Sequence, residues 1–357
     1  MKTDILIVGA GLSGIALARR YAEENANVLI VERRSHIGGD CYDYFDENGI
    51  CIHKYGPHIF RTDDKSIYDY LSQFTEWYDY QHRVMAYTGG GYYPIPINLD
   101  TVNRFLGSNY DSNTVMQYFN EVRTHPHTID NIKDAIESQV GTLFYETFFK
   151  SYTYKQWGIE PEKLPPSIIS RIPIRTNRDN RYFTVKYQGI PKEGYTAMMK
   201  NMLDHQNIKI MLNTNFKDIC EEITYDKLYY SGSIDEYFDY VYGKLPYRCV
   251  SFKLETYNIS QYQETAVVNY PNDYEYTRIT EFKHFYPRKT NCTVIAKEYP
   301  SNIGNPSYPI PTVNNLNLYN KYKKLVQDEQ INFIGRLGLY KYFSMDQILK
   351  SILNIQL

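Results

Sequence analysis

Three closely spaced glycines near the start of the chain have the pattern of a phosphate-binding turn. In the segment GAGLSG, Gly9 permits a tight turn, Gly11 lets the backbone approach a pyrophosphate, and Gly14 allows a helix to pack closely on a strand. The free N–H groups at the start of that helix attract phosphate oxygens. Glu32 follows the next apolar run, where a carboxylate can accept hydrogen bonds from both ribose hydroxyls. These residues predict a dinucleotide-binding site.

A strand, a helix and a second strand must position these groups. The runs 4–8 and 28–31 are short and nearly all apolar, which is typical of strands covered on both faces of a parallel sheet. Ile15, Leu17, Ala18 and Tyr21 fit one face of a helix between the two runs. This order favours cofactor binding, and a glycine turn in an ordinary α/β fold is the alternative.

A second pair of glycines bears on the choice between NAD and FAD, since both cofactors use the first turn. Gly38 and Gly39 come soon after Glu32 and provide another close backbone approach, toward the distal part of the cofactor. This spacing resembles the extended FAD fingerprint of glutathione-reductase-like and amine-oxidase-like flavoproteins. FAD is therefore favoured, and an NAD-binding scaffold with an ordinary Gly-Gly turn stays open.

Three further segments carry chemically useful side chains. His58 lies in a Gly-Pro-His turn after a predicted strand over 49–54, and its imidazole could lie beside an isoalloxazine ring, although a lone histidine is more often structural. The dense aromatics of 148–158 alternate with polar residues, which suits a stacked base, although core packing is the alternative. Pro173 prevents a helix in the arginine-rich segment 171–178, so this segment is either a phosphate-clamping loop or a solvated basic loop. Arg278 interrupts an alternating strand pattern and could point into a cleft.

Composition limits the class of protein. The 357 residues include 39 Lys and Arg and 41 Asp and Glu, and the resulting net charge of −2 gives no global attraction to nucleic acid or anionic lipid. The five cysteines include no CxxC pair, which argues against disulfides and a zinc site. The sequence shows no long apolar run for a membrane span and no signal peptide. We therefore expect a soluble, cytoplasmic protein without a metal.

The remaining pattern predicts a nucleotide-binding domain assembled from both ends of the chain. Residues 101–150 indicate short helices, whereas 151–190 look irregular. A last buried strand over 331–334 leads through Gly335 and Arg336 to a helix over Met345–Leu353. Further strands are predicted over 208–216, 228–232, 249–255, 274–285 and 293–299.

An ordered series of segments over nearly the whole chain resembles the prokaryotic-type UDP-galactopyranose mutase family. Each motif is weak alone, but the series in this order is specific. The matching segments are GPHIF (56–60), YPIPINLDTVNRFLG (93–107), YTYKQWG (152–158), RIPIRTNRDNRYF (171–183), QGIPKEGYT (188–196), GKLPYR (243–248), NYPNDYEYTRITEFKHF (269–285), YPIP (308–311) and GRLGLYKYFSMDQ (335–347).

The resemblance implies an α/β fold with three parts. A discontinuous Rossmann-like FAD-binding domain would comprise 1–80, 191–240 and 312–357. A small helical domain would comprise 99–150. A twisted antiparallel sheet domain that binds substrate would comprise 81–98, 151–190 and 241–311.

The resemblance also implies a reaction. Family members interconvert UDP-α-D-galactopyranose and UDP-α-D-galactofuranose with no net redox change and supply galactofuranose for glycan synthesis. Reduced FAD would act as a covalent catalyst, its N5 attacking the anomeric carbon and expelling UDP. An electron donor such as NAD(P)H or a reductase would keep the flavin reduced, and the enzyme would be a homodimer with no nucleic-acid or membrane partner.

Site residues carry over from the family position by position. Arg171 and Arg278 would bind the diphosphate and stabilise the transition state, with His58 beside the flavin as the third catalytic residue. The other substrate contacts would be His82, Phe148, Phe149, Tyr152, Thr153, Trp157, Tyr182, Asn269, Tyr308 and Tyr342. The cofactor contacts would be Gly9, Gly11, Ser13, Gly14, Glu32, Arg33, Gly39, Asp40, His58, Ile59, Arg336, Met345 and Asp346, with Glu298 also expected along the cofactor.

Three positions depart from the family pattern, and two other functions stay open. Arg61 stands where bacterial members usually have His, and Ser344 stands where Asp or Asn is common. A third departure is His82, which stands where some members have Asn. An amine-oxidase-like FAD oxidoreductase is the first alternative, because residues 1–60 alone do not separate the two families. A catalytically silent UDP-sugar-binding protein that retains flavin as a structural element is the second.

Overall fold

The chain folds into two units, each assembled from separate stretches of sequence. The computed structural model describes residues 1–169, 173–286 and 289–357. The first unit comprises 1–80, 185–247 and 306–357, and the second comprises 81–184 and 248–305. The predicted helical domain, 99–150, and most of the predicted sheet domain fall within the second unit. The division into three domains stays a prediction.

Helices and strands alternate through the first unit and group together in the second. The helices are α1 (Leu12–Glu23), α2 (Lys65–Ser72), α3 (Leu99–Leu106), α4 (Ser112–Val122), α5 (Ile132–Phe144), α6 (Ser151–Trp157), α7 (Tyr195–Leu203), α8 (Phe216–Ile219), α9 (Ile234–Tyr237), α10 (Val313–Lys323), α11 (Gly335–Gly338) and α12 (Met345–Leu353). The strands are β1 (Ile5–Val8), β2 (Val28–Val31), β3 (Asp43–Phe45), β4 (Cys51–His53), β5 (Phe60–Thr62), β6 (Trp77–Tyr78), β7 (Val84–Thr88), β8 (Gly91–Ile95), β9 (Tyr187–Pro191), β10 (Ile208–Met211), β11 (Lys227–Tyr230), β12 (Tyr247–Tyr257), β13 (Val267–Asn269), β14 (Arg278–Glu281), β15 (Thr293–Ser301), β16 (Pro306–Pro309) and β17 (Ile331–Phe333).

A parallel sheet forms the centre of the first unit. Its strands lie in the order β10-β2-β1-β11-β17, and each neighbouring pair is parallel. Because β1 lies between β2 and β11, the carboxyl ends of these strands meet at the point where a Rossmann-like sheet binds its ligand. The predicted strand over 208–216 is shorter than expected and ends at Met211, because Asn213 turns the chain with a φ of 53°.

Apolar burial on both faces explains the short apolar runs of this sheet. Leu6, Leu29, Val31 and Leu228 are buried in one core cluster, and Phe216 closes it. Removing these side chains from water supplies the main favourable term for pairing the strands. The predicted strands 4–8 and 28–31 are confirmed.

A buried carboxylate fastens a helix to the smaller sheets of the first unit. Strands β3 and β4 form an antiparallel pair, and β9 lies between β5 and β6. Both oxygens of Asp43 accept N–H groups at the start of α7, from Tyr195 at 2.6 Å and from Thr196 at 2.8 Å. This cap satisfies donors that have no partner within the helix, so α7 is fixed against the β3–β4 hairpin.

The second unit contains a mixed sheet. Within this unit, its strands lie in the order β12-β15-β14-β13-β7-β8. The pairs are antiparallel apart from β13 with β7, which are parallel. The two parallel strands come from distant parts of the chain, and parallel neighbours require such a long connection. The sheet is antiparallel, as expected, apart from this pair.

Helices α3 to α6 accompany this sheet, and most of their starts are visible in the sequence. Asn98, Asp111 and Asn131 cap α3, α4 and α5 through their side-chain oxygens. A π-helical turn over 145–150 then continues into α6. Residues 151–157 were expected to be irregular and are helical, because contacts distant in sequence hold α6, as described below.

The thickness of a bilayer sets a minimum length for any helix that crosses it. A membrane-spanning helix needs about 20 consecutive apolar residues. None of the helices in the described ranges has the length and apolar character that such a span requires.

Candidate functional site

The glycine turn after β1 lines a cavity at the carboxyl edge of the parallel sheet. Gly9 has a φ of +105°, and a Cβ there would lie 2.0 Å from the Ser231 Oγ. A Cβ on Gly14 would lie 2.1 Å from the Gly9 carbonyl oxygen. Both positions therefore require glycine for the fold itself, because a side chain would collide with fixed neighbours.

The second glycine turn lies directly against the first. The Gly38 N–H donates to the Ala10 carbonyl at 2.8 Å, and a Cβ on Gly39 would lie 2.9 Å from the Gly11 Cα. By contrast, a Cβ on Gly11 would have the Gly39 Cα as its nearest neighbour, at 3.8 Å. Gly11 thus lines the cavity without being required by the packing of the described residues.

Glu32 is buried after β2 and accepts hydrogen bonds from the first turn and from the segment that leads to the second. Its Oε2 accepts the Ala10 N–H at 2.8 Å, and its Oε1 accepts the Arg34 N–H at 2.8 Å. A carboxylate offers about four lone pairs, so each oxygen retains capacity for a ribose hydroxyl.

Most of the predicted cofactor residues surround this one cavity. Gly14 lies behind the turn, and Ile59 and Asp346 are not part of the lining formed by described residues. Sequence reasoning missed Thr214, after β10, and Ser231, after β11, although the carboxyl ends of parallel strands were the available signal. The predicted residues that do line the cavity are Gly9, Gly11, Ser13, Glu32, Arg33, Gly39, Asp40, His58, Arg336 and Met345.

His58 reaches the cavity in a defined protonation state. Its Nδ1 lies 2.8 Å from the Gly56 carbonyl oxygen, which only accepts, so Nδ1 carries the proton and Nε2 is an acceptor. Burial lowers the pKa of His58, which agrees with a neutral ring. The backbone N–H of His58 donates to Nδ1 of His53, whose own pKa burial lowers to about 3. His53 therefore fixes the backbone on which His58 is carried.

His53 belongs to a buried cluster with Asp43 and Cys51, in which ligand-type atoms lie within 4.8 Å of one another. The Asp43 oxygens already accept the N–H groups of α7, and Nδ1 of His53 accepts the His58 N–H. These groups are occupied by structural hydrogen bonds, so we assign the cluster to the fold and not to a metal.

Arg336 joins the cavity to two tyrosines. Its Nη2 donates to the Phe343 carbonyl at 2.8 Å, and its Cζ lies 5.1 Å from the ring centroid of Tyr308 and 5.6 Å from that of Tyr342. The two rings lie 5.5 Å apart. The buried Nε of Arg336 has no hydrogen-bond partner among the described residues. The structure thus brings together Tyr308, Tyr342 and Arg336.

Arg278 and a buried carboxylate form the centre of the candidate residues in the second unit. The Arg278 Nε lies 3.0 Å from Oε2 of Glu298, whose side chain is 5% exposed, whereas that of Arg278 is 25% exposed. Register pairs Arg278 with Asn269 on β13 and with Glu298 on β15. The carboxylate thus orients a guanidinium that keeps contact with solvent. Glu298 was expected along the cofactor, and the structure shows it paired with Arg278.

His82 and Tyr182 lie together in the same unit. The Tyr182 N–H donates to the His82 carbonyl at 2.7 Å, and the two rings meet edge to face with centroids 5.5 Å apart. Burial, together with the nearby charge of Arg278, lowers the pKa of His82 to about 3. His82 is therefore a neutral ring next to the arginine.

The aromatic segment around α6 divides into core and candidate contacts. Phe148 packs against Tyr93, Phe105 and Phe144 with ring centroids 5.2–5.8 Å apart, which favours a core role. Phe149, Thr153 and Trp157 are also buried, and Tyr152 is half-buried.

Three more residues that the sequence analysis named, Arg171, Arg61 and Ser344, are not part of the contacts described above. Arg171 lies outside the described residues. Arg61 lies on β5, opposite Gln188 on β9. Ser344 caps α12, with its backbone N–H donating to the Gln347 Oε1 at 3.0 Å, so a serine serves the fold at this position.

Comparison with known proteins decides the family. A family model described as UDP-galactopyranose mutase matches residues 147–342, and one described as NAD(P)-binding Rossmann-like domain matches residues 7–74. The chain belongs to the UDP-galactopyranose mutase family. The first match extends far beyond the amino-terminal segment that is shared with amine oxidases, so it decides against the oxidoreductase alternative.

Individual relatives agree with this family over almost the whole chain. A probable UDP-galactopyranose mutase of Klebsiella pneumoniae is 42% identical, covering 96% of this chain and 91% of the relative. A dTDP-fucopyranose mutase of Escherichia coli is 37% identical, covering 98% and 96%. A crystal structure of reduced UDP-galactopyranose mutase has a TM-score of 0.80 at 16% identity, covering 98% of this chain and 94% of that one, and supports the fold.

Members of the UDP-galactopyranose mutase family are FAD-dependent isomerases, and the cavity fits that cofactor. The open space beside Gly11 accepts close backbone approach by a pyrophosphate. Glu32 retains acceptors for a ribose, and the unpartnered Nε of Arg336 offers a buried donor. These features suit an adenosine diphosphate group at the glycine turns, and His58 and Arg336 are among the other residues that line the cavity.

The two glycines allow cofactor binding to be separated from folding. In Gly11→Ala the new methyl group has room in the protein, and we expect apoprotein stability within about 1 kcal/mol of the unaltered chain. Bound flavin should fall at least about tenfold, because the methyl occupies the pyrophosphate's approach. The matched variant Gly14→Ala should lose about 2 kcal/mol or more through its backbone clash. Full flavin content in Gly11→Ala, by absorbance, contradicts the assignment.

The buried neutral ring of His82 predicts acid sensitivity of the second unit. Its pKa is about 3 when folded and near 6.5 when unfolded, so its stabilisation is complete above pH 6.5 and is lost as the pH falls toward 3. We expect the unfolding free energy of the unaltered protein, relative to His82→Gln, to fall by about 2 to 3 kcal/mol between pH 6.5 and 4.5. Urea unfolding at both pH values measures this. A difference that is constant with pH would show that His82 titrates normally.

Proposed function

We propose that this isomerase interconverts UDP-α-D-galactopyranose and UDP-α-D-galactofuranose with no net redox change, supplying galactofuranose for glycan synthesis. One observation carries the proposal, namely the guanidinium of Arg278, oriented by the buried Glu298 and still in contact with solvent. Such a group suits a nucleotide diphosphate that must leave a sugar and return to it. An oxidase acting on an amine has no use for this feature.

The first unit would hold FAD in its reduced, active form. Reduced FAD supplies a nucleophilic nitrogen, N5, that can act on an anomeric carbon. The glycine turns and Glu32 would hold the adenosine diphosphate. The neutral His58 would offer its Nε2 as an acceptor beside the flavin, which requires the proton to stay on Nδ1, where it is donated to the Gly56 carbonyl.

Cationic groups would stabilise the diphosphate as it departs. Charge builds on the phosphate oxygens when the anomeric bond breaks, and a guanidinium already held in place lowers the energy of that state without reorganising. Arg278 suits this requirement because it is ion-paired with the buried Glu298, whose Oε2 lies 3.0 Å from its Nε. Arg171 remains a sequence-based prediction for the second cation.

Hydroxyl groups and aromatic faces would complete recognition. Tyr308 and Tyr342 would donate to phosphate oxygens, and Arg336 holds the backbone beside each of them through Ser307 and Phe343. Tyr152, Thr153 and Trp157 would bind uridine, with His82, Phe149, Tyr182 and Asn269 as further substrate contacts. For Phe148 the core packing favours a supporting role.

The proposed reaction also needs a source of electrons. An electron donor, either NAD(P)H directly or a reductase, would keep the flavin reduced between turnovers. We also propose a homodimer in the cytoplasm, without nucleic acid or membrane partners.

One assay tests the proposed reaction. The purified yellow protein is reduced with dithionite, incubated with UDP-galactofuranose, and its products are separated by chromatography. We expect UDP-galactopyranose only under reducing conditions. A parallel arm with dTDP-fucofuranose addresses the activity named for the E. coli relative. Binding of UDP without any product supports the silent-binder alternative, and oxygen-dependent turnover of an amine supports an oxidase.

Arg278→Ala should lower kcat by two or more orders of magnitude, because a preorganised donor to the leaving diphosphate is lost. Arg123→Ala removes an exposed arginine of the same unit and should leave kcat unchanged. Steady-state kinetics on fully reduced enzyme gives both values. Turnover of Arg278→Ala close to that of Arg123→Ala would remove Arg278 from the mechanism.

A further inference from the structure

A lysine on α6 has its amine enclosed by backbone carbonyls. Lys155 Nζ donates to the carbonyls of Tyr270, of Tyr274 at 2.9 Å and of Tyr276 at 3.2 Å. An ammonium group has three donors, so these acceptors use all of them. Burial lowers the pKa of Lys155 to about 8, with Asp273 opposing the shift, so the amine is mostly protonated at pH 7.

The three carbonyls belong to one loop, residues 270–277, which we call the β13–β14 loop. It follows Asn269, the last residue of β13, and precedes Arg278, the first residue of β14. The Tyr270 N–H donates to the Thr277 carbonyl at 2.8 Å and closes the loop. The conformation of this loop therefore sets where the Arg278 backbone begins.

Helix α6 is itself held in place. The buried Arg248 donates from Nε to the Gln156 carbonyl and from Nη2 to the Lys155 carbonyl, both at 2.9 Å. These bonds satisfy acceptors at the end of a helix, where a positive charge is also favourable. Lys155 thus extends from a fixed helix and not from a mobile one.

A second tie connects the same loop to the turn before α6. The side-chain amide of Asn272 donates to the Thr147 carbonyl at 3.1 Å and to the Thr88 hydroxyl at 2.9 Å. The β13–β14 loop is therefore fastened at both its centre and its ends, as expected for a loop whose position matters for an adjacent side chain.

We propose that Lys155 is a positioning residue for the reaction, which sets the guanidinium of Arg278 relative to the nucleoside-binding residues of α6. Lys155 touches neither cofactor nor substrate and acts through the β13–β14 loop. This inference rests on the proposed function, because it takes Arg278 to bind the diphosphate while Tyr152 and Thr153 bind the nucleoside. Displacement of a catalytic group by about 1 Å can cost about a hundredfold in rate.

The test compares Lys155→Met with the matched control Lys150→Met in FAD-loaded, reduced enzyme. Lys150 lies on the preceding turn and pairs with Glu146 in solvent, so its removal subtracts the same charge without touching the loop. We expect Lys155→Met to lower kcat/KM for UDP-galactofuranose at least about tenfold, with flavin content and spectrum unchanged. Lys155→Arg, which keeps the charge and the donors, should recover part of the loss. Lys150→Met should match the unaltered enzyme.

A double-mutant cycle distinguishes positioning from general loosening. If Lys155 acts through Arg278, adding Lys155→Met to Arg278→Ala should change kcat less than about twofold, whereas independent effects would multiply. Multiplying effects, or a Lys155→Met enzyme within twofold of the unaltered one, overturn the inference. If Lys155→Met does not fold, the same cycle with Lys155→Gln decides it. Failure of the unaltered enzyme to convert UDP-galactofuranose instead overturns the proposed function.

Discussion

The contact between two glycine turns is the constraint on which the first unit depends. Gly38 is hydrogen-bonded to Ala10, and Gly39 lies so close to Gly11 that a side chain on Gly39 has no place. Glu32 accepts backbone N–H groups from the first turn, at Ala10, and from Arg34, in the segment that leads to the second. Each turn ends or follows a strand of the parallel sheet, so the register of β1 and β2 sets the contact. The cofactor cavity exists because backbone meets backbone here.

Buried carboxylates also hold neighbouring segments together at two other places in the fold. Asp43 starts α7, and Glu298 holds Arg278, each with its charge compensated by donors on neighbouring segments. Burying a charge is unfavourable unless such partners are present, so each carboxylate imposes a specific arrangement on the segments that supply them. Glu298 pairs with the Nε of Arg278, and the side chain of Arg278 remains partly exposed to solvent. Burial of Glu298 costs solvation free energy, and the same buried ion pair preorganises Arg278.

The sequence predicts elements whose stability is local or whose burial has a clear period. The bounds of β2 and of α12 agree with the predicted ranges, because two-sided burial and a capping serine are visible in a few residues. Helix α6 was missed because it is held by Arg248, about ninety residues away, and no local pattern shows this. The packing of Tyr308 and Tyr342 around Arg336 also depends on contacts between residues that are distant in sequence. The cofactor residues follow a short motif, whereas the substrate residues required the family resemblance.

The order of the strands in the parallel sheet has a consequence for how the polypeptide is made. The strand β1 is synthesised long before its neighbour β11, which comprises residues 227–230, and before β17, beyond it, which comprises residues 331–333. The nascent chain therefore carries an apolar strand with an unpaired edge until β11 has been made. Such edges pair readily with other chains. Cellular protection during elongation, and not only final stability, is a requirement that this topology imposes.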